Sequence, residues 1–260
     1  FASAPGGHRT VDVWCPPGYA EAGETRYPAI YMHDGQNLFD PALAPGGVDW
    51  GMDEAVVRLM REHGWPGAII VGVWHSGQGR WLDYMPQKPV ESPEGQAVLA
   101  QLARERGGVP RSDSYLRFLV DELKPLVDAH YRTLPGQQHT YVMGSSMGGL
   151  ILLYAVEEYL DVFGGAGCLS THWPAGGNLL VDAMGARLPR PGAHRLYFDY
   201  GTATLDADYE PYQVRMNGHL EAAGYSRGRD WMTGTFEGAE HNEGAWRARV
   251  ETPLRFLLDW

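Results

Sequence analysis

Tyr141–Leu150, with the sequence YVMGSSMGGL, predicts a strand that turns sharply into a helix. An apolar strand end leads into Gly-x-Ser-x-Gly, and an apolar helix follows directly. A turn of this kind lifts one side chain above the end of a sheet, and here that side chain is Ser146. Glycine is expected at Gly144 and Gly148 because a side chain at either position would collide with neighbouring backbone. Ser146 is therefore the candidate nucleophile.

The segments around this turn alternate between strand and helix patterns. Apolar or alternating runs predict strands at 8–14, 28–33, 68–74, 139–144, 164–170, 195–200 and 230–236. Helical spacing starts at 49 and recurs at 114–130, 146–159, 209–223 and 242–260. This order, with the turn at Ser146, predicts one α/β-hydrolase domain over residues 1–260, with a mostly parallel sheet and helices on both faces.

Residues 75–112 differ from the rest of the chain. They are rich in Gly, Pro, Gln and charged residues, with one short helix indicated at 96–106. A stretch this long without clear strand or helix character is often a functional insertion. We expect either a cap or wall over the active site, or an irregular surface excursion with no role in substrate binding.

Composition excludes several functional classes. The chain has 260 residues and a formal net charge of -11, which argues against nucleic acid and anionic membrane surfaces as partners. No apolar run is long enough to span a membrane. Cys15 and Cys168 are predicted to be free thiols, with a single long-range disulfide as the alternative. The chain starts at Phe1, which indicates a removed upstream signal or tag and leaves cytoplasmic, periplasmic and secreted locations open.

The base and the acid should follow the last strands of the sheet, because sites in open α/β sheets lie at the carboxyl ends of the strands. His241 follows the last predicted strand and is the candidate base. Three aspartates precede it. Asp199 lies inside a predicted strand, and Asp208 is explained as the N-cap of the next helix. Asp206 lies in the loop between them and is the candidate acid, with Asp208 as the alternative.

An oxyanion hole needs two backbone N–H groups directed at the developing negative charge. Met147 follows the nucleophile at the start of its helix, where the helix dipole also favours an anion. The second donor should come from the loop after the strand at 28–33. That loop reads Asp34-Gly35-Gln36-Asn37, and Gln36 is the candidate donor.

Three motifs together resemble the esterase D-type family of α/β-hydrolases. They are YMHDGQNLFD at 31–40, GSSMGG at 144–149, and GAEH at 238–241 with Trp246. The family includes S-formylglutathione hydrolases, feruloyl and acetylxylan esterases, siderophore trilactone esterases and mycolyltransferases. The resemblance spans almost the whole chain. It implies Ser146 as nucleophile, His241 as base, and Gln36 and Met147 as oxyanion donors.

The acid departs from the family pattern. Many relatives place it three residues after a glycine, where this chain has Thr204, and the aspartate follows two positions later at Asp206. A longer loop in this chain accommodates that shift.

Substrate residues are predicted from their positions after strands. Trp173, with His172 beside it, is assigned to the pocket, and Asn37 is a candidate for contact with a polar substrate. No two of the ten histidines have the His-x-x-x-His spacing of a helical zinc site, so neither metal nor cofactor is expected. The sequence gives no oligomeric state.

Three functional hypotheses follow. The first is a serine ester hydrolase that acts on small or carbohydrate-linked esters of acetyl or feruloyl type. The second keeps the same triad and changes the substrate or acceptor, as in a siderophore trilactone esterase or an acyltransferase. The third is a non-catalytic binding module, which the complete set of Ser146, Asp206 and His241 disfavours.

Overall fold

The computed structural model describes residues 8–258, which contain a seven-stranded sheet. The strands are β1 Val11–Trp14, β2 Ala29–His33, β3 Ile69–Val73, β4 Thr140–Ser145, β5 Gly165–Leu169, β6 Arg195–Gly201 and β7 Trp231–Phe236. Their order across the sheet is β1-β3-β2-β4-β5-β6-β7. β1 runs antiparallel to β3, and the other neighbouring pairs are parallel. The predicted mostly parallel sheet is confirmed.

The helices of the described residues connect these strands. They are α1 Met52–His63, α2 Arg80–Tyr84, α3 Gln87–Glu91, α4 Gln96–Arg106, α5 Ser112–Arg117, α6 Lys124–His130, α7 Met147–Glu158, α8 Gly177–Gly185, α9 Glu210–Ala222, α10 Glu243–Arg247 and α11 Glu251–Leu258. A π-helical segment, Phe118–Leu123, joins α5 to α6, and Pro125 lies in the first turn of α6. The helical run is continuous at this point, and Pro125, which has no N–H to donate, lies next to the widened turn in which Lys124 N–H donates to Leu119 O.

Helices cover both faces of the sheet because strand side chains alternate between two apolar cores. Ile30 and Met32 of β2 belong to the core that includes Leu59 of α1 and Leu254 of α11. Tyr31, between them in sequence, belongs to the core formed with α5 to α9. The fold is therefore the predicted α/β-hydrolase type, with the central strand β4 leading into α7.

Three sequence predictions of secondary structure were incomplete. Residues 75–112 contain the predicted helix at 96–106, which is α4, and also two helices that were not predicted, α2 and α3. α8, which begins at Gly177, was not among the predicted helices. The predicted closing helix divides into α10 and α11, and its final residues, 259–260, lie outside the described residues. Asn242 starts α10 because its side chain accepts from the N–H of Ala245 at 2.9 Å.

The segment at 75–112 is fixed by a buried carboxylate. Asp83 of α2 has no exposed surface and accepts from Arg9 at 2.8 Å, from Arg111 at 2.8 Å and from Ser76 at 2.5 Å. A buried charge is stable only when it is paired and hydrogen-bonded, and here two guanidinium groups meet that requirement. The contact joins the start of the chain to both ends of this segment.

Candidate active site

The turn between β4 and α7 holds Ser146 in a strained backbone conformation. Its φ and ψ are 60° and -126°, which few non-glycine residues adopt. Two backbone hydrogen bonds fix it: Ser146 N–H donates to Leu169 O at 3.0 Å, and His172 N–H donates to Ser146 O at 3.1 Å. Leu169 is the last residue of β5 and His172 lies shortly after it. The neighbouring strand therefore supports the turn, which presents the Ser146 side chain above the sheet.

The glycines of this turn differ in how closely other atoms approach them. A Cβ at Gly144 would lie 3.3 Å from His33 Cβ, which is tight. A Cβ at Gly148 would lie 3.7 Å from the same atom, which is ordinary van der Waals contact. The expected backbone collision at Gly148 is therefore wrong. Gly149 is the crowded position, since a Cβ there would lie 2.5 Å from Thr171 Oγ1 and 3.1 Å from Thr171 Cα.

A matched pair of alanine variants tests this difference. Gly149→Ala is expected to lower the free energy of unfolding by about 1–3 kcal/mol, because the added methyl group must displace Thr171 beside the turn. Gly148→Ala adds the same methyl group on the same helix without a close contact and is expected to be nearly neutral. Urea unfolding curves measure both values. Equal losses in the two variants would contradict the crowding at Gly149.

The side chains of Ser146, His241 and Asp206 form one line of hydrogen bonds. His241 Nε2 lies 2.9 Å from Ser146 Oγ, and His241 Nδ1 lies 2.5 Å from Asp206 Oδ1. Ser146 follows β4, Asp206 follows β6 and His241 follows β7, so the carboxyl ends of three parallel strands meet here. The three residues predicted separately from the sequence are brought together.

Asp206 is buried and fully hydrogen-bonded. Its Oδ2 accepts from Ser170 Oγ at 2.5 Å and from Gly201 N–H at 2.7 Å, while Oδ1 faces His241. Burial by itself raises the pKa of this carboxyl, but the hydrogen bonds from His241, Ser170 and Gly201 outweigh it and hold the pKa below the ordinary value. Asp206 is therefore an ionised carboxylate at neutral pH.

The two other candidate aspartates, Asp199 and Asp208, have different environments. Asp199 is buried in β6 and pairs with Arg249 at 3.0 Å. Asp208 is exposed at the end of a short 3-10 helix, Thr204–Asp208. The predicted N-cap role of Asp208 is wrong, because Tyr209 occupies the cap position of α9 and makes no side-chain cap hydrogen bond.

The two predicted oxyanion donors belong to neighbouring strands. Gln36 lies in the short 3-10 helix Gly35–Asn37 after β2, and Met147 is the first residue of α7 after β4. β2 and β4 are adjacent and parallel, so both loops leave the same end of the sheet. The first hydrogen bond of this 3-10 helix is donated by Asn37 N–H to Asp34 O. The N–H of Gln36 comes one residue earlier, so this helix does not use it. The Met147 N–H is likewise one of the helix-start donors without an intrahelical acceptor.

A buried ion pair braces the Gln36 loop. Asp34 has a left-handed backbone, with φ of 57°, and accepts two hydrogen bonds from Arg80 at 2.7 and 2.6 Å. Burial by itself raises the pKa of Asp34, but the charge and hydrogen bonds of Arg80 outweigh this effect and hold the pKa below the ordinary value. The carboxyl therefore remains charged. Gly35 packs on β3, where a Cβ would lie 2.4 Å from Gly72 C. The loop therefore has little freedom to move relative to the sheet.

Comparison with known proteins agrees with this geometry. The family model described as "Putative esterase" matches residues 2–254. The chain belongs to this esterase family. Among curated proteins, an uncharacterised Bacillus subtilis protein, YbbA, is 23% identical over 199 residues, covering 75% of this chain and 69% of YbbA.

Solved structures share the fold at low sequence identity. A ferulic acid esterase aligns with a TM-score of 0.68 and 18% identity, covering 96% of this chain and 91% of that one. An IroE-like serine hydrolase from Shewanella oneidensis gives 0.65 and 18%, covering 94% and 73%. The enterobactin hydrolase IroE gives 0.63 and 19%, covering 97% and 90%. These neighbours establish the α/β-hydrolase fold, and membership of the esterase family makes the protein an ester hydrolase.

Aromatic side chains of the esterase line one side of the triad. The ring of His172 lies 6.4 Å from that of His241 and edge-on to Trp81 at 5.6 Å. Its Nδ1 lies 2.5 Å from the hydroxyl of Tyr209. Burial, together with positive charge at His241 and Arg80, lowers the pKa of His172 to about 4, so this imidazole is neutral at pH 7. His172, which was predicted as a pocket residue next to Trp173, lies beside His241.

The other two predicted substrate residues lie differently. Trp173 is 1% exposed, packs against Phe198 and donates from Nε1 to Gln213 at 3.1 Å, so its assignment to the pocket is wrong. It turns into the core because its indole N–H finds a partner there. Asn37 is buried, and its Nδ2 donates to Glu243 at 3.1 Å, which makes it a brace between two loops of the site.

Several site residues of the esterase were missed from the sequence. Trp81 of α2 lies beside His172, and the guanidinium of Arg106 stacks 3.8 Å above its ring. Their segment was predicted either as a cap or wall or as a surface excursion, and neither residue was singled out for a contact. Ser170 could have been found, since it directly follows β5 at the carboxyl edge. Arg249 lies close to Asp206, and no pattern in the sequence predicts that position.

The remaining expectations concern metals, membranes and thiols. The described residues contain no group of three or more His, Cys, Asp or Glu side chains arranged to hold a metal ion. Between residues 8 and 258, none of the helices has the length and apolar character needed to cross a membrane. Cys15 and Cys168 are free thiols, as predicted.

Proposed function

We propose that this esterase is a serine carboxylic ester hydrolase that works through an acyl-enzyme at Ser146. The observation that carries the proposal is the continuous line from Asp206 through His241 to Ser146, with contacts of 2.5 and 2.9 Å. An imidazole held between a carboxylate and a hydroxyl is the arrangement that activates a serine for attack on a carbonyl.

Acylation begins when Ser146 Oγ attacks the ester carbonyl carbon and its proton moves to His241 Nε2. The carbonyl oxygen becomes an oxyanion, which the N–H groups of Gln36 and Met147 stabilise. Collapse of this intermediate breaks the bond to the alcohol oxygen, and His241 returns the proton to that oxygen. Asp206 stays ionised and stabilises the imidazolium between the two transfers.

Deacylation repeats the sequence with water as the nucleophile. His241 removes a proton from water, the resulting hydroxide attacks the acyl carbon, and the second collapse expels Ser146 Oγ. The proton on His241 returns to that oxygen, which regenerates the free serine and releases the carboxylic acid. No redox partner or added ion is needed for either half-reaction.

We propose acetyl- or feruloyl-type esters, free or linked to carbohydrate, as the substrate class. Trp81 and His172, both half-buried, supply an aromatic wall beside the triad, and aromatic faces suit a phenolic acyl group or a sugar ring. Ferulic acid esterases with the same fold support the proposal. A trilactone belongs in the substrate panel because IroE-type hydrolases also share the fold.

Labelling with a fluorophosphonate tests the serine mechanism. The reagent is expected to add once, at Ser146, and peptide mapping by mass spectrometry locates it. Prior denaturation of the protein is the control, since attack requires His241 to be hydrogen-bonded to Ser146. A native protein that hydrolyses p-nitrophenyl acetate but is not labelled would contradict the proposed nucleophile. Absence of both activities would favour a non-catalytic binding module.

The aromatic wall gives a test of the substrate class. Trp81→Ala is expected to lower kcat/KM for methyl ferulate by about ten-fold, because loss of a ring contact costs about 1 kcal/mol or more. The same variant is expected to change kcat/KM for p-nitrophenyl acetate by less than about two-fold, which provides an internal control. Equal losses on the two esters would show that Trp81 supports the site without selecting the acyl group.

A further inference from the structure

The acid of the triad is held by a second, buried layer of side chains. Ser170 Oγ lies 2.5 Å from Asp206 Oδ2, 3.0 Å from Trp246 Nε1 and 2.8 Å from Arg249 Nη2. Ser170 and Arg249 are 0% and 4% exposed, so water does not compete for these contacts. Ser170 also has a left-handed backbone, with φ of 44°, which an ordinary core serine has no reason to adopt.

The hydrogen-bonding capacity of the hydroxyl determines the direction of these contacts. A serine hydroxyl donates one hydrogen bond and accepts two. The indole N–H of Trp246 and the guanidinium N–H of Arg249 can only donate, so they occupy both acceptor positions. The single hydroxyl proton must therefore point to Asp206 Oδ2. With Gly201 N–H on the same oxygen, Asp206 is left with Oδ1 for His241.

Arg249 is itself fixed by Asp199. Its Nη2 lies 3.0 Å from Asp199 Oδ1, and its Nε lies 3.2 Å from Asp199 Oδ2. Asp199 also accepts from the hydroxyl of Tyr197 at 3.0 Å and from the N–H of Ser170 at 3.2 Å. The positive charge of Arg249 is thereby held 3.9 Å from Asp206 Oδ2.

We propose that Ser170, oriented by Trp246 and Arg249, is a positioning residue that sets the charge distribution of Asp206 and so the pH range in which His241 acts as a base. This inference rests on the proposed serine mechanism. Ser170 touches neither substrate nor nucleophile in this scheme. Its hydroxyl draws carboxylate charge toward Oδ2, which weakens the pull of Oδ1 on the proton of the imidazolium.

The charged groups around this unit fix the expected direction. Loss of the Ser170 hydrogen bond raises the pKa of Asp206 and shifts its negative charge toward Oδ1. The positive charge that His241 gains when it accepts a proton is then more strongly stabilised. A base must be neutral to accept a proton, so activity is lost at a higher pH on the acidic side.

Other titratable groups face the same unit. His172 is neutral above a pKa of about 4, and burial raises the pKa of Tyr209, so neither changes charge near neutrality. Asp199 carries a pKa raised by burial in spite of Arg249. Glu243 lies near His241 with a pKa that burial also raises. Ser170→Ala keeps the backbone N–H that is donated to Asp199 and removes only the contacts of the hydroxyl with Asp206, Trp246 and Arg249.

The test compares Ser170→Ala with Ser112→Ala by the pH dependence of kcat/KM. Ser112 is also fully buried, and its hydroxyl accepts from Gln87 N–H at 2.9 Å, so its loss is a matched control. Ser170→Ala is expected to move the acidic limb upward by about 0.5–1 pH unit, which is less than the roughly 1–2 units that a hydrogen bond to a charged group is worth, because the effect reaches His241 only through Asp206. It is also expected to lower the plateau by about ten-fold through misplacement of Asp206. Ser112→Ala should leave the limb in place.

A second variant keeps the test decisive if Ser170→Ala does not fold. Arg249→Lys retains the positive charge, but a lysine lacks the planar guanidinium group that contacts Asp199 and Ser170 together. A smaller upward shift of the acidic limb is therefore expected. An unchanged acidic limb in a folded Ser170→Ala protein, or in Arg249→Lys if that is the folded one, would overturn the inference. If Ser146→Ala kept full turnover, the serine mechanism would fail and this role would fail with it. An inactive Ser146→Ala beside an unshifted limb would overturn only the role of Ser170.

Discussion

Replacing Ser146 with alanine is expected to lower kcat for p-nitrophenyl acetate by about 10⁴–10⁶-fold, the loss seen when a serine nucleophile is removed. The hydroxyl is the atom hydrogen-bonded to His241 at 2.9 Å, and no other side chain of the triad can form the acyl-enzyme. KM is expected to change little, because Ser146 contributes little to ground-state binding. Initial rates at saturating substrate measure the loss, after removal of any contaminating esterase activity.

The adjacent serine supplies the control for this variant. Ser145 is the last residue of β4, is 5% exposed and occupies the same Gly-x-x-x-Gly turn. Ser145→Ala makes the same chemical change one residue away and is expected to retain most of the activity. A protein that loses activity on Ser145→Ala and keeps it on Ser146→Ala would refute the assignment of the nucleophile. Circular dichroism establishes that both variants are folded.

Asp206→Asn is expected to lower kcat by about 10⁴-fold without unfolding the protein. Ser170 Oγ and Gly201 N–H both donate to the Oδ2 position, so an asparagine must place its oxygen there. Its NH2 group then faces His241 Nδ1 and forces that nitrogen to accept. The proton of the imidazole is thereby moved to Nε2, which can no longer take the proton of Ser146.

Asp208→Asn is the matched control for the acid. Asp208 is exposed, lies two positions further along the same short helix and was the sequence alternative to Asp206. We expect its replacement to change kcat by less than about two-fold. Equal losses in both variants would mean that the loop, and not the carboxylate of Asp206, limits the reaction. A measurable rate at higher pH is expected to persist in Asp206→Asn, since hydroxide can assist there.

The sequence was most informative where chain order and strand ends determine position. Ser146, Asp206 and His241 were identifiable because a parallel sheet brings the carboxyl ends of its strands to one edge. The direction of a side chain after a strand is not fixed in the same way. Trp173 and His172 are consecutive, yet one turns into the core toward Gln213 and the other lies beside His241. Only the surrounding packing distinguishes them.

Helices held by charge were harder to predict than helices held by apolar faces. The segment at 75–112 contains three helices, but it is anchored by Arg9 and Arg111 on the buried Asp83. The spacing of apolar residues in the sequence does not predict a contact between buried charged side chains. Arg249 was missed for the same reason. It lies between α10 and α11, where a charged residue is expected to face solvent, but it is buried, with 4% exposed.

The order of the strands bears on when a newly made chain becomes reactive. After β2, the strands β4, β5, β6 and β7 join the sheet outward in the order of synthesis. His241 follows the edge strand β7, and Trp246 and Arg249 come later still. A domain generally folds as a unit, and Ser146 is synthesised well before the residues that supply its base and hold its acid. A chain that ends before His241 would therefore contain the serine without the imidazole that deprotonates it, so such an incomplete product is chemically silent.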